Sequence, residues 1–160
     1  MSIRRQRQRL IRDRFKRLYP KIDIDLQLSD DVVDIIKEGY DLAIRGVALE
    51  SSNLQATKLA SMATCLCGSV DYFLKYPIPK SIADLADHTW VVYQPSSAVV
   101  TLEKDKRRFE VAVSGGISTN NAAARTAFVE AGHGLAKIPV YDALPRIKAG
   151  RLRKILEDNK

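Results

Sequence analysis

Residues 30–46, with the sequence DDVVDIIKEGYDLAIRG, predict a helix that leads directly into a buried strand. The helix begins with two acidic residues, which suit its positive end, and its apolar residues between 32 and 36 fall near one face. Gly39 is a typical helix terminator. The strand, residues 41–45, ends in Arg45. Ligands of open α/β sheets bind at the carboxyl ends of strands, so we expect a binding site that includes Arg45.

The same order of elements continues on both sides of this stretch. Hydrophobic periodicity and capping residues predict helices at 5–18, 30–38, 69–75, 81–88, 119–131 and 140–150. They predict strands at 22–28, 41–45, 89–93, 99–102, 109–113, 134–139 and 151–156, with one or two more between 55 and 67. Repeated strand-helix-strand order favours a parallel α/β architecture. In the helix at 119–131 we expect Ala123, Ala127 and Phe128 to form the apolar face.

Several separated motifs resemble, in the right order, the effector-binding domain of LysR-type transcriptional regulators. They are YPKIDIDLQLSDDVVDIIKEGYDLAIRG (19–46), LESSNLQATKLA (49–60), LCGSVDYFLKYPIPKSIADLADH (66–88) and STNNAAARTAFVEAGHGLAKIPVYDALPRIKAGRLRKIL (118–156). The resemblance implies an α/β, two-lobe type II periplasmic-binding-protein-like fold with a ligand cleft between the lobes. Residues 1–65 and 139–160 would form the first lobe, and residues 66–138 the second. It also implies a sensor that binds a small, anionic metabolite and signals through a dimer.

The chain departs from the family pattern at its start. Such domains usually begin with a strand before the first helix, and only a short segment precedes that helix here. We therefore expect this chain to lack the first strand, as well as the winged helix-turn-helix through which the family contacts DNA. A sheet that lacks an interior strand exposes backbone groups that invite pairing with another chain. We expect a homodimer, with or without exchange of an N-terminal segment.

Polar residues at predicted helix starts are the first candidates for effector contacts. Thr119, Asn120 and Asn121 open the helix at 119–131, where backbone N–H groups and the helix dipole favour an anionic group. Ser29 and Ser69 hold equivalent positions before two other helices. Ser, Thr and Asn are also the preferred N-cap residues, so each of these side chains has a purely structural alternative.

Two further candidates carry or can gain positive charge. Arg45 is suited to a bidentate contact with a carboxylate, or alternatively to an ion pair within the chain. His133 lies between two glycines at the turn into the strand at 134–139, a hinge position in the fold that the sequence resembles. Its near-neutral pKa would permit pH-sensitive binding, and the alternative is a structural histidine.

The net charge of +7 comes entirely from the N-terminus, because residues 1–20 contain eight Arg or Lys and one Asp, while the rest is balanced. Apolar residues at 11, 15 and 18 predict an amphipathic helix with a cationic face. Such a face suits phosphate, an anionic membrane or an acidic groove, and equally a simple solvated helix. No second helix accompanies it as in a recognition-helix pair, so we expect no base-specific DNA reading.

No catalytic motif is present in the sequence, which has two histidines and no Gly-x-Ser-x-Gly, so we expect no enzyme. Cys65 and Cys67 alternate along a strand and are too close for an ordinary disulfide or zinc site, so we expect two buried thiols, no metal and no cofactor.

The chain lacks an apolar membrane span or signal core, which favours the cytoplasm and no membrane contact. The alternatives are a solute-binding protein of periplasmic type and a nucleic-acid or protein interaction module formed by the basic helix.

Overall fold

The computed structural model describes residues 14–29, 34–46, 54–94, 98–104 and 107–156. The elements in order are β1 (Thr64–Ser69), α1 (Val70–Lys75), a 3-10 helix (Ala83–Asp87), β2 (Val91–Tyr93), β3 (Val99–Lys104), β4 (Arg107–Ala112), β5 (Ile117–Thr119), α2 (Ala122–Glu130), β6 (Ala136–Pro139), α3 (Val140–Lys148) and β7 (Leu152–Ile155). From residue 64 onward the expected elements are present, with bounds shifted by a few residues.

A mixed sheet organises this part of the chain. β1 is the central strand of the order β6-β1-β7 and pairs antiparallel with both neighbours. β2 and β5 form a parallel pair, and a parallel bridge between Trp90 and Leu135 joins the start of β2 to the start of β6. β3 and β4 form an antiparallel hairpin. The expected parallel pairing is present between β2 and β5, whereas β6 and β7 both run antiparallel to β1.

Two hydrophobic cores lie on opposite faces of β1, as the period-2 geometry of a strand requires. Leu66 joins one core with the β3–β4 hairpin and Trp90, whereas Cys65 and Cys67 join the other with α2 and α3. The two cysteines face the same side, as expected, and their sulfur atoms lie 3.5 Å apart as buried free thiols. Both faces of β1 are thus covered, which accounts for the apolar run at residues 65–67 in its centre.

The segment before β1 differs from the prediction. Residues 14–18 are helical and residues 35–39 form a turn, but residues 22–28 and 41–45 are irregular instead of forming strands. Their apolar side chains are exposed, with Leu28 at 72% and Ile44 at 79%. A strand needs hydrogen-bonding partners on at least one side, and the alternating pattern of 22–28 supplies side chains without supplying those partners. Residues 5–13 and 30–33 of the expected helices lie outside the described residues.

The helix α2 buries a face other than the expected one. Ala123, Ala127 and Phe128 are exposed, whereas Arg125, Thr126 and Val129 are buried. The Thr126 hydroxyl tolerates burial because it donates to Asp142 Oδ2 at 2.8 Å. The Arg125 guanidinium stacks on the Tyr93 ring. The expectation failed because alanine is small enough to be tolerated on either face.

The last two elements, α3 and β7, pack against β1 and α2. The sequence-based division gave residues 139–160 to the first lobe, yet β7 pairs with β1 from Leu66 to Ser69. Ala143 of α3 and Leu152 of β7 are buried in the same core as Cys67 and Val129. The boundary between the lobes remains a prediction, and these contacts favour placing it before β1.

Candidate functional site

Three strands of the sheet end at the same edge. β5 and β6 both run parallel to β2, so Tyr93, Thr119 and Pro139 end their strands on one side. Because Pro139 pairs with Thr64, the chain also enters the sheet from the first-lobe segment at this side. We call it the carboxyl edge. It is the edge at which open α/β sheets bind ligands.

The predicted residues Thr119, Asn120 and Asn121 lie at the carboxyl edge and lead into α2. The Asn121 side chain caps the helix by accepting the Ala124 N–H at 2.9 Å, and Thr119 Oγ1 accepts the Asn121 N–H at 3.1 Å. The structural alternative therefore describes Asn121 well. Asn120 is exposed and is not the cap. The positive end of the α2 dipole lies among these residues.

Sequence reasoning missed three residues next to this edge. Tyr93 ends β2 and pairs with Thr119, and the Arg125 guanidinium carbon lies 4.6 Å above the Tyr93 ring centre while the Arg125 residue is only 5% exposed. Lys137, on β6, donates from Nζ to the Thr101 carbonyl at 2.7 Å. Burial removes water from its ammonium group and lowers its pKa. An arginine inside the alanine-rich helix was the available signal.

Ser69 and His133 lie at the opposite edge, beside the start of β6. Ser69 ends β1 and caps α1, accepting the Tyr72 N–H at 3.0 Å. His133 is exposed and packs edge-on against Phe128, with ring centres 5.8 Å apart. β1 is antiparallel to β6, so its end lies away from the carboxyl edge. The structure therefore does not bring these two residues together with Thr119, Asn120 and Asn121.

Ser29 and Arg45 belong to the segment before β1. Ser29 is exposed at the end of the irregular stretch 22–29, and Arg45 is partly buried at the end of residues 41–45. Neither residue lies in a strand, so the expected delivery of Arg45 by a strand end is not seen. Their contact with an effector remains a prediction.

The comparisons with known proteins agree with this architecture. The family model of the LysR substrate binding domain matches residues 9–159, so the chain belongs to that family. The transcriptional activator AaeR of Escherichia coli K12 is 28% identical over 140 residues, which are 86% of this chain and 45% of AaeR. The transcriptional regulator YhjC of the same organism is 34% identical over 152 residues, with 89% and 49% covered. The chain spans about half the length of these curated relatives.

A solved structure gives the same assignment. The regulatory domain of AphB from Vibrio vulnificus superimposes with a TM-score of 0.76 at 25% identity, covering 92% of this chain and 75% of that one. The protein is thus an effector-binding domain of a LysR-type regulator, and its fold class is the two-lobe α/β type of periplasmic binding proteins. The curated relatives are transcriptional regulators and not enzymes. Within the described ranges, no helix has the length and apolar character needed to cross a membrane.

Proposed function

We propose that this chain senses a small anionic metabolite for its regulator, and that the metabolite binds at the carboxyl edge beside Thr119, Asn120 and Asn121. One observation carries the proposal: α2 begins where the parallel strands β2 and β5 end. The helix dipole there favours negative charge, and the strand ends form the crevice used by ligands of α/β sheets. Ser29 and Arg45, which precede β1, are the first-lobe candidates for closing on the ligand.

The proposed roles of the two lobes, the homodimer and the DNA contact follow from this sensing function. Residues 64–156 form the lobe that holds the sheet, and the segment before β1 belongs to the other lobe. Ligand binding draws the lobes together and changes the packing of a homodimer, and DNA is contacted by another part of the regulator in the cytoplasm. The chain itself catalyses no reaction and holds no metal. The basic residues of the helical segment 14–18 serve as a solvated surface. Lys16 Nζ already donates to the carbonyl groups of Pro20 and Ile22.

A thermal-shift screen tests the proposal. The panel contains sodium salts of metabolite carboxylates, each matched by its neutral amide at equal ionic strength. A ligand present at 100 times its dissociation constant stabilises the folded chain by about 2.7 kcal/mol, which raises the melting temperature by several degrees. We expect a saturable increase with at least one carboxylate and none with its amide. Stabilisation by neutral compounds alone would contradict the anionic ligand class.

A further inference from the structure

The strands β2 and β6 separate immediately after they meet. At the Trp90–Leu135 bridge, the Leu135 N–H donates to the Thr89 carbonyl and the Val91 N–H to the Leu135 carbonyl, both at 2.9 Å. Beyond it, residues 91–93 and 136–137 line an open cavity instead of continuing the ladder. The cavity has a volume of about 40 Å³. We call it the β2–β6 slot.

The lining of the slot combines an apolar body with two cations. Valines at 91, 92, 100 and 113 and the alanine at 136 supply most of its walls. The charged members are Arg125 and Lys137, and the aromatic members are Trp90 and Tyr93. Arg125 reaches the slot from α2, which begins at the carboxyl edge, so the slot adjoins the proposed effector site. Two positive groups in a largely apolar cavity create a positive potential.

We propose that the β2–β6 slot binds the carboxylate of a compact monocarboxylic acid, held by Arg125 and Lys137 with its small apolar end against the valines. This inference rests on the proposed function, because it names the group of the metabolite that is recognised. The guanidinium of Arg125 offers N–H groups in a fixed plane that matches a carboxylate, and the ammonium of Lys137 adds a second charge-assisted donor. This small volume leaves room for only a few water-sized groups, which restricts the ligand to a compact acid.

Trp90 gives a direct readout, since it is the single tryptophan of the chain and lines the slot. The probe is sodium acetate, titrated at constant ionic strength while Trp90 fluorescence is recorded. Acetamide, which has nearly the same shape without the charge, is the control. We expect a saturable change with acetate and none with acetamide. The same titration followed by NMR should shift the Trp90 indole N–H and the Ala136 amide of the unmodified protein.

Two lysine variants localise the effect. Lys137→Met should raise the half-saturating acetate concentration about tenfold, because a hydrogen bond to a charged group is lost. Lys154→Met removes a partly buried lysine from β7 in the same sheet and should leave that concentration unchanged. An equal response to acetamide would overturn the inference, as would acetate binding that Lys137→Met does not weaken. If Lys137→Met does not fold, the wild-type NMR shifts decide.

The outcome also separates this inference from the proposed function. Suppose that a larger anion stabilises the chain and shifts the Asn120 amide, while acetate leaves Trp90 unchanged. The slot would then be excluded and the effector role would stand. If no anion stabilises the chain and acetate also has no effect, both the inference and the proposed function fail.

Discussion

The Tyr72 hydroxyl oxygen lies 3.0 Å from His88 Nδ1, and both side chains are buried. Tyr72 is 3% and His88 is 8% exposed. Burial lowers the pKa of His88 because the charged imidazolium loses water, and the nearby Asp87 and Asp84 offset this only in part. The neutral ring can accept the tyrosine proton at Nδ1. Protonation would place a second donor against that hydroxyl.

The contact between Tyr72 and His88 predicts that the folded chain loses stability in mild acid. The pKa of His88 in the folded chain lies below its ordinary value of 6.5, so the unfolded chain binds the proton more tightly. The free energy of unfolding should therefore be highest above pH 6.5, decrease as the pH falls below it, and level off under the folded pKa. Urea denaturation at a series of pH values measures this.

Two variants assign the effect to one ring, because the chain has two histidines. His88→Gln should remove the decrease in the free energy of unfolding between pH 7 and 5.5. His133→Gln, which changes an exposed residue, should retain that decrease. A slope that persists in His88→Gln would show that other groups cause the acid sensitivity.

An ion-pair cluster between α2 and α3 predicts a second stability effect. Arg146 bonds Glu130 at 2.9 Å and Asp142 at 2.7 Å, with its side chain 27% exposed. Arg146→Met leaves both carboxylates without this partner, so we expect a loss of about 1–3 kcal/mol in the free energy of unfolding. Arg151→Met is the matched control: Arg151 also bonds Glu130 but is 57% exposed, so its loss should stay below about 1 kcal/mol. Equal losses in the two variants would contradict the argument.

The helix cap at Asn121 predicts a change in the stability of the folded chain. Asn121→Ala removes the acceptor of the Ala124 N–H, and such a loss typically destabilises a protein by about 1 kcal/mol. Asn121→Asp should restore that stability, because a carboxylate also caps and suits the positive helix end. Chemical denaturation checks both changes. An Asn121→Ala chain as stable as wild type would mean that water replaces the cap.

Much of the second lobe was predictable because its signals are local. The glycine at 132 and the cap at Asn121 bracket α2, and β6 alternates buried and partly buried residues as a strand should. The slot was not predictable, since it depends on where two strands that are distant in sequence diverge. Arg125 and Lys137 were therefore not among the predicted site residues. Only the tertiary structure shows that both line one cavity.

In the segment before β1, a clear local pattern was not enough to predict the structure. Ile22, Ile24, Leu26 and Leu28 alternate as a half-buried strand does, and this pattern predicted a strand that the structure does not contain. The structure leaves all four more than 40% exposed, because pairing depends on a partner strand and not on the pattern itself.

These exposed side chains predict self-association. A row of apolar residues of this kind is seldom left in water, and a second copy of the chain provides an equivalent row. We expect a dimer at micromolar concentration, measured by light scattering coupled to gel filtration. Leu26→Asp should shift the equilibrium toward monomer, whereas Asp25→Ala, in the polar row, should not. A stable monomeric wild type would contradict the expectation.

The most direct test of the central claim is calorimetry of the best ligand from the thermal-shift screen with one variant at each edge of the sheet. Asn120→Ala changes an exposed residue at the carboxyl edge that is not the helix cap, and His133→Gln changes an exposed residue at the opposite edge. We expect Asn120→Ala to weaken binding by about 1 kcal/mol, the net contribution of one hydrogen bond, while His133→Gln leaves the affinity unchanged. Weaker binding by His133→Gln together with unchanged binding by Asn120→Ala would place the effector at the opposite edge of the sheet and contradict the proposed site.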